Sequence, residues 1–310
     1  MSGIVTLTMN PTIDKSTSIN NVVAERKLRC DRPRYEPGGG GVNVSRAVKK
    51  LGEDSLAVYL AGGPPGDMLK RLLDAEEIRQ DPYQIKGLTR ENLVVFETST
   101  QQQYRFGMPG PEIQVHEWQG CLDRLEQMDP TPGFLVCSGS LPPGVPPDFY
   151  ARIAGFAKKT GSKVILDTSG DPLTIASETG VFLMKPNHPE LESLAGKALE
   201  NEQEQEELLQ DLVEAGRAEV IVASLGAAGA LLVWKEGVFR TRAPNVPIKS
   251  KVGAGDSMVA GMVTALFRGW NMPDAVRFGV AAGAAAVMTP GSELCRREDT
   301  ERLYKKIKDE

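Results

Sequence analysis

The feature that most limits the fold is a recurring unit: a short apolar segment that ends in glycine or polar residues, with helix-compatible sequence between one copy and the next. It occurs at residues 55–61, which run into Gly62-Gly63-Pro64-Pro65-Gly66, and at 134–138, which end in Ser138-Gly139-Ser140-Leu141-Pro142-Pro143-Gly144. It returns at 163–167, at 181–185, and at 220–224 before Leu225-Gly226-Ala227-Ala228-Gly229. Residues 4–9 alternate β-formers and exit at Asn10-Pro11, which reads as the first strand. Apolar strands alternating with helices predict an α/β chain with a mainly parallel sheet covered on both faces. Such a sheet delivers the polar ends of its strands to one edge, where ligands of open α/β sheets bind.

One region breaks the alternation. Residues 93–98 and 104–108 read as a hairpin around Ser99-Thr100-Gln101-Gln102-Gln103, with no helix between them. An antiparallel pair inserted into an alternating chain predicts a small flap, with further strands from the segment around Lys27. The reading is one domain over 1–310, with lid strands inserted at about 14–36 and 88–108. Arg90 and Arg105 bracket the flap; they are either surface residues or ligands of an anionic substrate under a lid. Asp14, just beyond the first strand, is either a solvated loop carboxylate or a ligand at the sheet edge.

Three motifs carry chemistry. In Gly253-Ala254-Gly255-Asp256, two glycines permit a turn that aims successive N–H groups at one point where a helix begins. That point stabilises negative charge on a transferring phosphoryl group, and Asp256 at its rim either accepts a proton from an attacking hydroxyl or merely caps the helix. The run Gly38-Gly39-Gly40-Gly41 opens a helical segment at 44–51 and lets backbone approach something closely, with Asn43 capping the helix or binding a polyol hydroxyl. A dinucleotide fingerprint does not fit there, because the glycines do not follow a strand of a βαβ unit. In Lys185-Pro186-Asn187-His188-Pro189-Glu190, Asn187 and Glu190 either serve a hydrated magnesium ion or belong to ordinary helix capping.

Composition removes other classes. A net charge of −5 without a long basic run argues against nucleic acid and anionic membrane as partners. No run of about 18 apolar residues and no secretory leader pattern is found, so the expected location is cytoplasmic. Cys30, Cys121, Cys137 and Cys295 lack close pairing and are expected as buried free thiols.

Taken together in order, Gly38 to Asn43, Lys185-Pro186-Asn187 with Glu190, Ser224-Leu225-Gly226 and Gly253-Ala254-Gly255-Asp256 resemble the PfkB family of ribokinase-like carbohydrate kinases, essentially end to end. Lys27-Leu28-Arg29-Cys30, Tyr104-Arg105-Phe106 and the Ser138 to Gly144 exit look like the branch that phosphorylates fructose 6-phosphate. The branches acting on fructose 1-phosphate or tagatose 6-phosphate commonly carry lysine where this chain has Gly40.

The resemblance implies a three-layer sandwich with a β-sheet lid, and the transfer of phosphate from ATP with magnesium. It makes Asp256 the base, with Gly253, Ala254 and Gly255 as the anion hole. Asp14, Gly39, Gly40 and Asn43 would hold sugar hydroxyls, and Arg90, Ser140, Lys27 and Arg29 the substrate phosphate. Lys27 and Arg29 would reach across a homodimer built through the lids. ATP would lie along Lys185, Asn187, Ser224, Gly226 and Gly229, with adenine near Val280, Gly283 and Ala284, and Glu190 would serve magnesium. A second, inhibitory ATP is implied near Lys27, Tyr104 and Asn187. A potassium ion at Ser250, Val252, Ala286, Thr289 and Gly291 stays an open expectation, since Lys249 and Ser250 stand where many members have Asp-Thr. The alternatives left open are a same-fold kinase for another sugar phosphate and a non-catalytic sensor of sugar phosphate and nucleotide.

Overall fold

The computed structural model describes residues 3–309. Its main sheet has nine strands in the order β13-β12-β11-β10-β9-β8-β1-β4-β5. These are β1 Ile4–Thr8, β4 Ser55–Ala61, β5 Arg79–Gln84, β8 Phe134–Ser138, β9 Lys163–Asp167, β10 Val181–Met184, β11 Ala218–Ser224, β12 Ala230–Trp234 and β13 Gly237–Thr241. All neighbouring pairs from β11 to β5 are parallel, and β12 and β13 extend that edge antiparallel. The second sheet, β3-β2-β6-β7, contains β2 Thr12–Ile19, β3 Arg34–Gly38, β6 Arg90–Glu97 and β7 Gln102–Phe106.

Period-two alternation divides the strand side chains between two cores. Val136 of β8 and Val220 and Val222 of β11 face one side, with α1 Gly40–Lys50, α8 Ala254–Phe267, α9 Met272–Val287 and α10 Arg297–Asp309. Leu135, Cys137, Ile221 and Ala223 face the other, with α3 Val115–Glu126, α4 Phe149–Thr160, α5 Asp171–Thr179, α6 His188–Ala195 and α7 Glu202–Glu214. A smaller cluster of Ile13, Val42, Tyr59, Leu69 and Leu73 seats α2 Gly63–Ala75 between the two sheets. The chain runs from β1 outward through β4 to one edge, then restarts at β8 on the other side of β1. That reversal opens a crevice at the carboxyl ends of β1 and β8.

Several expectations are corrected. The helix after the glycine run starts at Gly40 rather than 44, so Asn43 lies inside α1 and does not cap it. The close approach the glycines allow is to the protein's own strand ends: a Cβ on Gly40 would sit 2.3 Å from Ser138 Oγ, and one on Gly41 2.4 Å from the Leu7 carbonyl. The run does follow a strand, β3, but one belonging to the lid rather than to a βαβ unit, so the dinucleotide reading still fails. Asp14 lies in β2, not in a loop. The Lys27 segment contributes no strand itself; β2 and β3 flank it. Cys30 is exposed, whereas Cys121, Cys137 and Cys295 are buried.

Candidate active site

The crevice at β1 and β8 opens beneath the four-stranded sheet as a cavity of about 570 Å³. Asp14, Gly39, Asn43, Arg90, Arg105, Gly253 and Asp256 all line it, as do Val252 and Gly291. A larger recess, about 910 Å³, lies at the opposite ends of β10 and β11 around Phe182, Glu219 and Trp234, and it carries none of the predicted residues. Volume alone therefore does not find the chemistry.

At the floor, Gly253 adopts φ 73°, ψ 5° and forms the N-cap of α8. Ser257 N donates the first intrahelical bond, to the Gly253 carbonyl at 2.8 Å, so the N–H groups of Ala254, Gly255 and Asp256 are the free donors of that terminus. Asp256 is the third residue of the helix and makes no capping bond. Its Oδ2 instead accepts from Asn43 Nδ2 at 2.9 Å, which rules out the capping alternative. Burial is the main cause that raises the Asp256 carboxyl to about 6, reinforced by the Asp167 carboxylate and opposed by the Asn43 hydrogen bond. A carboxylate near 6 is ionised at neutral pH and basic enough to take a proton from an alcohol as it attacks.

Lys185 stands beside this turn. It is 5% exposed, its Nζ is 3.0 Å from Asp167 Oδ1, and a Cβ on Gly255 would lie 3.7 Å from that Nζ. Burial works against its charge most strongly of any one cause, but Asp167, Glu190 and Asp256 together outweigh burial and raise its pKa. The ammonium is thus kept positive next to the helix N-terminus. Asn187 and Glu190 form a capping box on α6: Glu190 N donates to Asn187 Oδ1 at 3.0 Å, and Asn187 N to Glu190 Oε2 at 2.8 Å. The capping alternative is therefore realised, although one Glu190 oxygen takes no part in the box. Asn187 also bridges to Ser224 at the end of β11, followed by a short helical turn over Gly226–Ala228 and by Gly229, which needs φ 95°.

Gly283 brings α9 against the first turn of α8, where an added Cβ would meet the Ala254 carbonyl at 3.2 Å, while Val280 and Ala284 are buried beside it. Lys249 and Ser250 meet the end of α9, their N–H groups donating to Val287 O at 2.7 and 3.3 Å, and Val252 N donates to Ser250 Oγ at 3.2 Å. Ala286 O already accepts from both the N–H and the hydroxyl of Thr289. Among the described residues no cluster of three or more His, Cys, Asp or Glu suits a metal ion. A magnesium ion would therefore depend on phosphate oxygens and water, with Glu190, Asp167 and Asp256 as the carboxylates gathered around Lys185.

The roof brings the residues expected on the acceptor side to the cavity. Asn92 Nδ2 donates to Asp14 Oδ1 at 3.0 Å, and burial, opposed by that bond, raises the Asp14 carboxyl. Gly38 makes room for Asp14, whose Oδ2 would lie 2.4 Å from an added Cβ. The Arg90 guanidinium is braced by three carbonyls, Asn10 at 3.0 Å, Met108 at 3.1 Å and Pro11 at 3.4 Å. Ser140 Oγ accepts from Asn10 Nδ2 at 3.1 Å. Lys27 and Arg29 are exposed and do not line the cavity. Asp167, Asn10 and Asn92 were not anticipated; Asp167 and Asn10 had a signal, as polar ends of predicted strands.

A free helix start, a carboxylate and a buried lysine at the carboxyl edge of an open α/β sheet, under a β-lid, define a phosphotransferase of the sugar-kinase kind. A profile of the pfkB family carbohydrate kinases matches residues 4–299, and the chain belongs to that family. It is 45% identical over 301 residues to the ATP-dependent 6-phosphofructokinase isozyme 2 of Mycobacterium tuberculosis, covering 97% of this chain and 88% of that one. It superposes on the crystal structure of phosphofructokinase-2 from Escherichia coli in complex with potassium at a TM-score of 0.95 and 39% identity, covering 99% and 100% of the two chains. A 1-phosphofructokinase of Bacillus subtilis is 32% identical over 98% of both chains.

Proposed function

We propose that the chain transfers the terminal phosphoryl group of ATP to the 1-hydroxyl of fructose 6-phosphate, giving ADP and fructose 1,6-bisphosphate. The observation that carries this is the Asn43–Asp256 hydrogen bond, which joins the glycine-run helix of the acceptor pocket to the helix start that faces the nucleotide side. Higher identity to the named 6-phosphofructokinase than to the 1-phosphofructokinase supports the acceptor. So does Gly40, where any side chain would displace the Ser138 hydroxyl.

Asp14, Gly39, Gly40 and Asn43 hold the sugar hydroxyls. Arg90, with Arg105 and Ser140, holds the acceptor's phosphate. Asp256 accepts the hydroxyl proton as the new O–P bond forms and the bond to ADP breaks. The N–H groups of Ala254, Gly255 and Asp256, with Lys185, stabilise the charge on the phosphoryl group in flight. Asn187, Ser224, Gly226 and Gly229 line the nucleotide's path, and Val280, Gly283 and Ala284 bound its base. Magnesium, served by Glu190 through water, neutralises the nucleotide phosphates when bound.

Ser250, Val252, Ala286, Thr289 and Gly291 offer neutral oxygens with no carboxylate among them, a donor set suited to a monovalent cation such as potassium. Equal activity in sodium and potassium salts would remove that part. Lys27 and Arg29 act on a neighbouring subunit of a homodimer; sedimentation as a monomer at assay concentration would remove that one. The main test is ADP release with Mg-ATP against fructose 6-phosphate, fructose 1-phosphate, tagatose 6-phosphate, fructose and adenosine. Preference for fructose 6-phosphate is expected. Preference for another acceptor overturns the substrate, and silence on the whole panel moves the reading to a binding protein.

A further inference from the structure

Arg46 takes no part in the chemistry above, yet it is 3% exposed and its guanidinium joins four segments. Nε and Nη2 donate to the two oxygens of Glu76, just past α2, at 2.7 and 2.6 Å. Nη1 donates to the Pro37 carbonyl at 3.0 Å, the Ser292 carbonyl at 3.2 Å and Asn43 Oδ1 at 3.4 Å. Asn43 lies three residues earlier, on the same face of α1, and its other amide atom donates to Asp256. The amide is thus held between a cation and an anion. Turned over, its oxygen would face the carboxylate and its NH₂ the guanidinium, and both contacts would be repulsive.

We propose that Arg46 is the positioning residue for the catalytic base: it sets the Asn43 amide so that nitrogen faces Asp256, and it ties the strand before the glycine run to the loop after α9. The inference rests on the reading of Asp256 as the base. A lysine cannot replace this arginine, because one ammonium cannot span a paired carboxylate and three further oxygens.

The consequence is a pH effect. The charged groups nearest Asp256 are Asp167 at the end of β9, Lys185 after β10 and Asp14 on β2, with Glu36, Arg90, Arg105 and Lys251 further out on the cavity wall. None of these is altered by a change at Arg46. Asn43 favours the ionised carboxylate, so a free-swinging amide raises the Asp256 pKa and moves the acid limb of kcat/KM to higher pH. The expected move is about one pH unit, the size of one charge-assisted hydrogen bond.

The experiment compares the wild type with Arg46→Lys, Asn43→Ala and the double variant. It records the acid limb of kcat/KM for whichever acceptor the wild type uses, and the ¹³C-carboxyl titration of Asp256. Both single variants should move the limb and the titration upward, and the double variant no further than Asn43→Ala alone. A folded Arg46→Lys with an unmoved limb and titration overturns the proposal, as does an additive double variant. Should Arg46→Lys fail to fold, Glu76→Gln loosens the same guanidinium from a more exposed partner; a smaller upward move supports the proposal and no move overturns it. The titration needs no turnover, so failure of the kinase reading itself shows separately, as inactivity of the wild type.

Discussion

The floor and the roof of the cavity are built differently. On the floor, Asp256, Asn43, Arg46, Lys185 and Asp167 come from α1, α8 and the ends of β9 and β10, and each holds another in a hydrogen-bonded or ionic contact. The roof is a four-stranded sheet whose β7 is largely exposed, next to a loop over 20–33 that is exposed almost throughout. Val22, Val23, Leu28, Phe106 and Met108 lie open there, between 36% and 47% exposed. The difference teaches where each kinetic parameter resides. On the proposed reading a preorganised floor is expected to set turnover, because its donors need no rearrangement as charge develops. On the same reading the roof supplies the acceptor groups from a thin layer, so changes there are expected in KM.

The sharpest break of that division comes from Asp256→Asn. The variant should fold normally and lose about 10²- to 10⁴-fold in kcat, as general-base removal does. In the wild type, protonation of a base raised to about 6 should cut kcat/KM below that pH, with activity recovering as pH rises through it. Near-normal turnover of the variant would take the base out of the floor. Lys185→Met comes next. It leaves Asp167 without its partner in a mostly buried pair, which costs about 3–5 kcal/mol in stability, and it should lower kcat about 100-fold by removing charge beside the phosphoryl path. Adding Asp167→Asn should restore the melting temperature but not the rate. Recovery of both would mean that the lysine serves only the fold.

Arg90→Ala sharpens the roof side. Loss of a charge-assisted contact to the acceptor's phosphate should raise its KM about 10- to 100-fold while the KM for ATP stays level. An unchanged KM for the sugar phosphate would place that phosphate elsewhere.

The two regions were also unequally legible in the sequence. Strands β4, β8 and β9 carry largely apolar runs before glycine or polar exits, and they fall at the expected residues. Strand β5, Arg79–Gln84, was missed because an edge strand tolerates proline and polar residues that erase the pattern. The glycine run and Gly253 to Asp256 marked the floor, since only backbone constraints explain such glycines. Arg46 could not be found that way. Its role depends on Glu76, Pro37 and Ser292 meeting around it, and contacts across up to 246 positions leave no local spacing. Asn10 and Asn92 escaped for the same reason, as their value lies in bracing Arg90, Ser140 and Asp14 rather than in any motif of their own.

The smallest effect should come from Glu97, which pins the loose side of the roof. Its carboxylate accepts from Val22 N and Thr100 Oγ1 at 2.5 Å each and from Tyr104 Oη at 3.2 Å, so one side chain gathers the 20–33 loop, the hairpin turn and β7. The Thr100 hydroxyl, then the Val22 N–H, hold its carboxyl below the usual range. A depressed pKa means that this anchor is fully present above the unfolded value and is lost as pH falls through the folded one. Glu97→Gln at neutral pH should therefore imitate acid. Amide exchange over 20–33 and 98–104 should quicken about two- to tenfold, the range expected from weakening single hydrogen bonds, while the first turn of α8 keeps its protection. Equal quickening at α8 would show that roof and floor open as one unit, and the separation of KM from turnover would have to be abandoned.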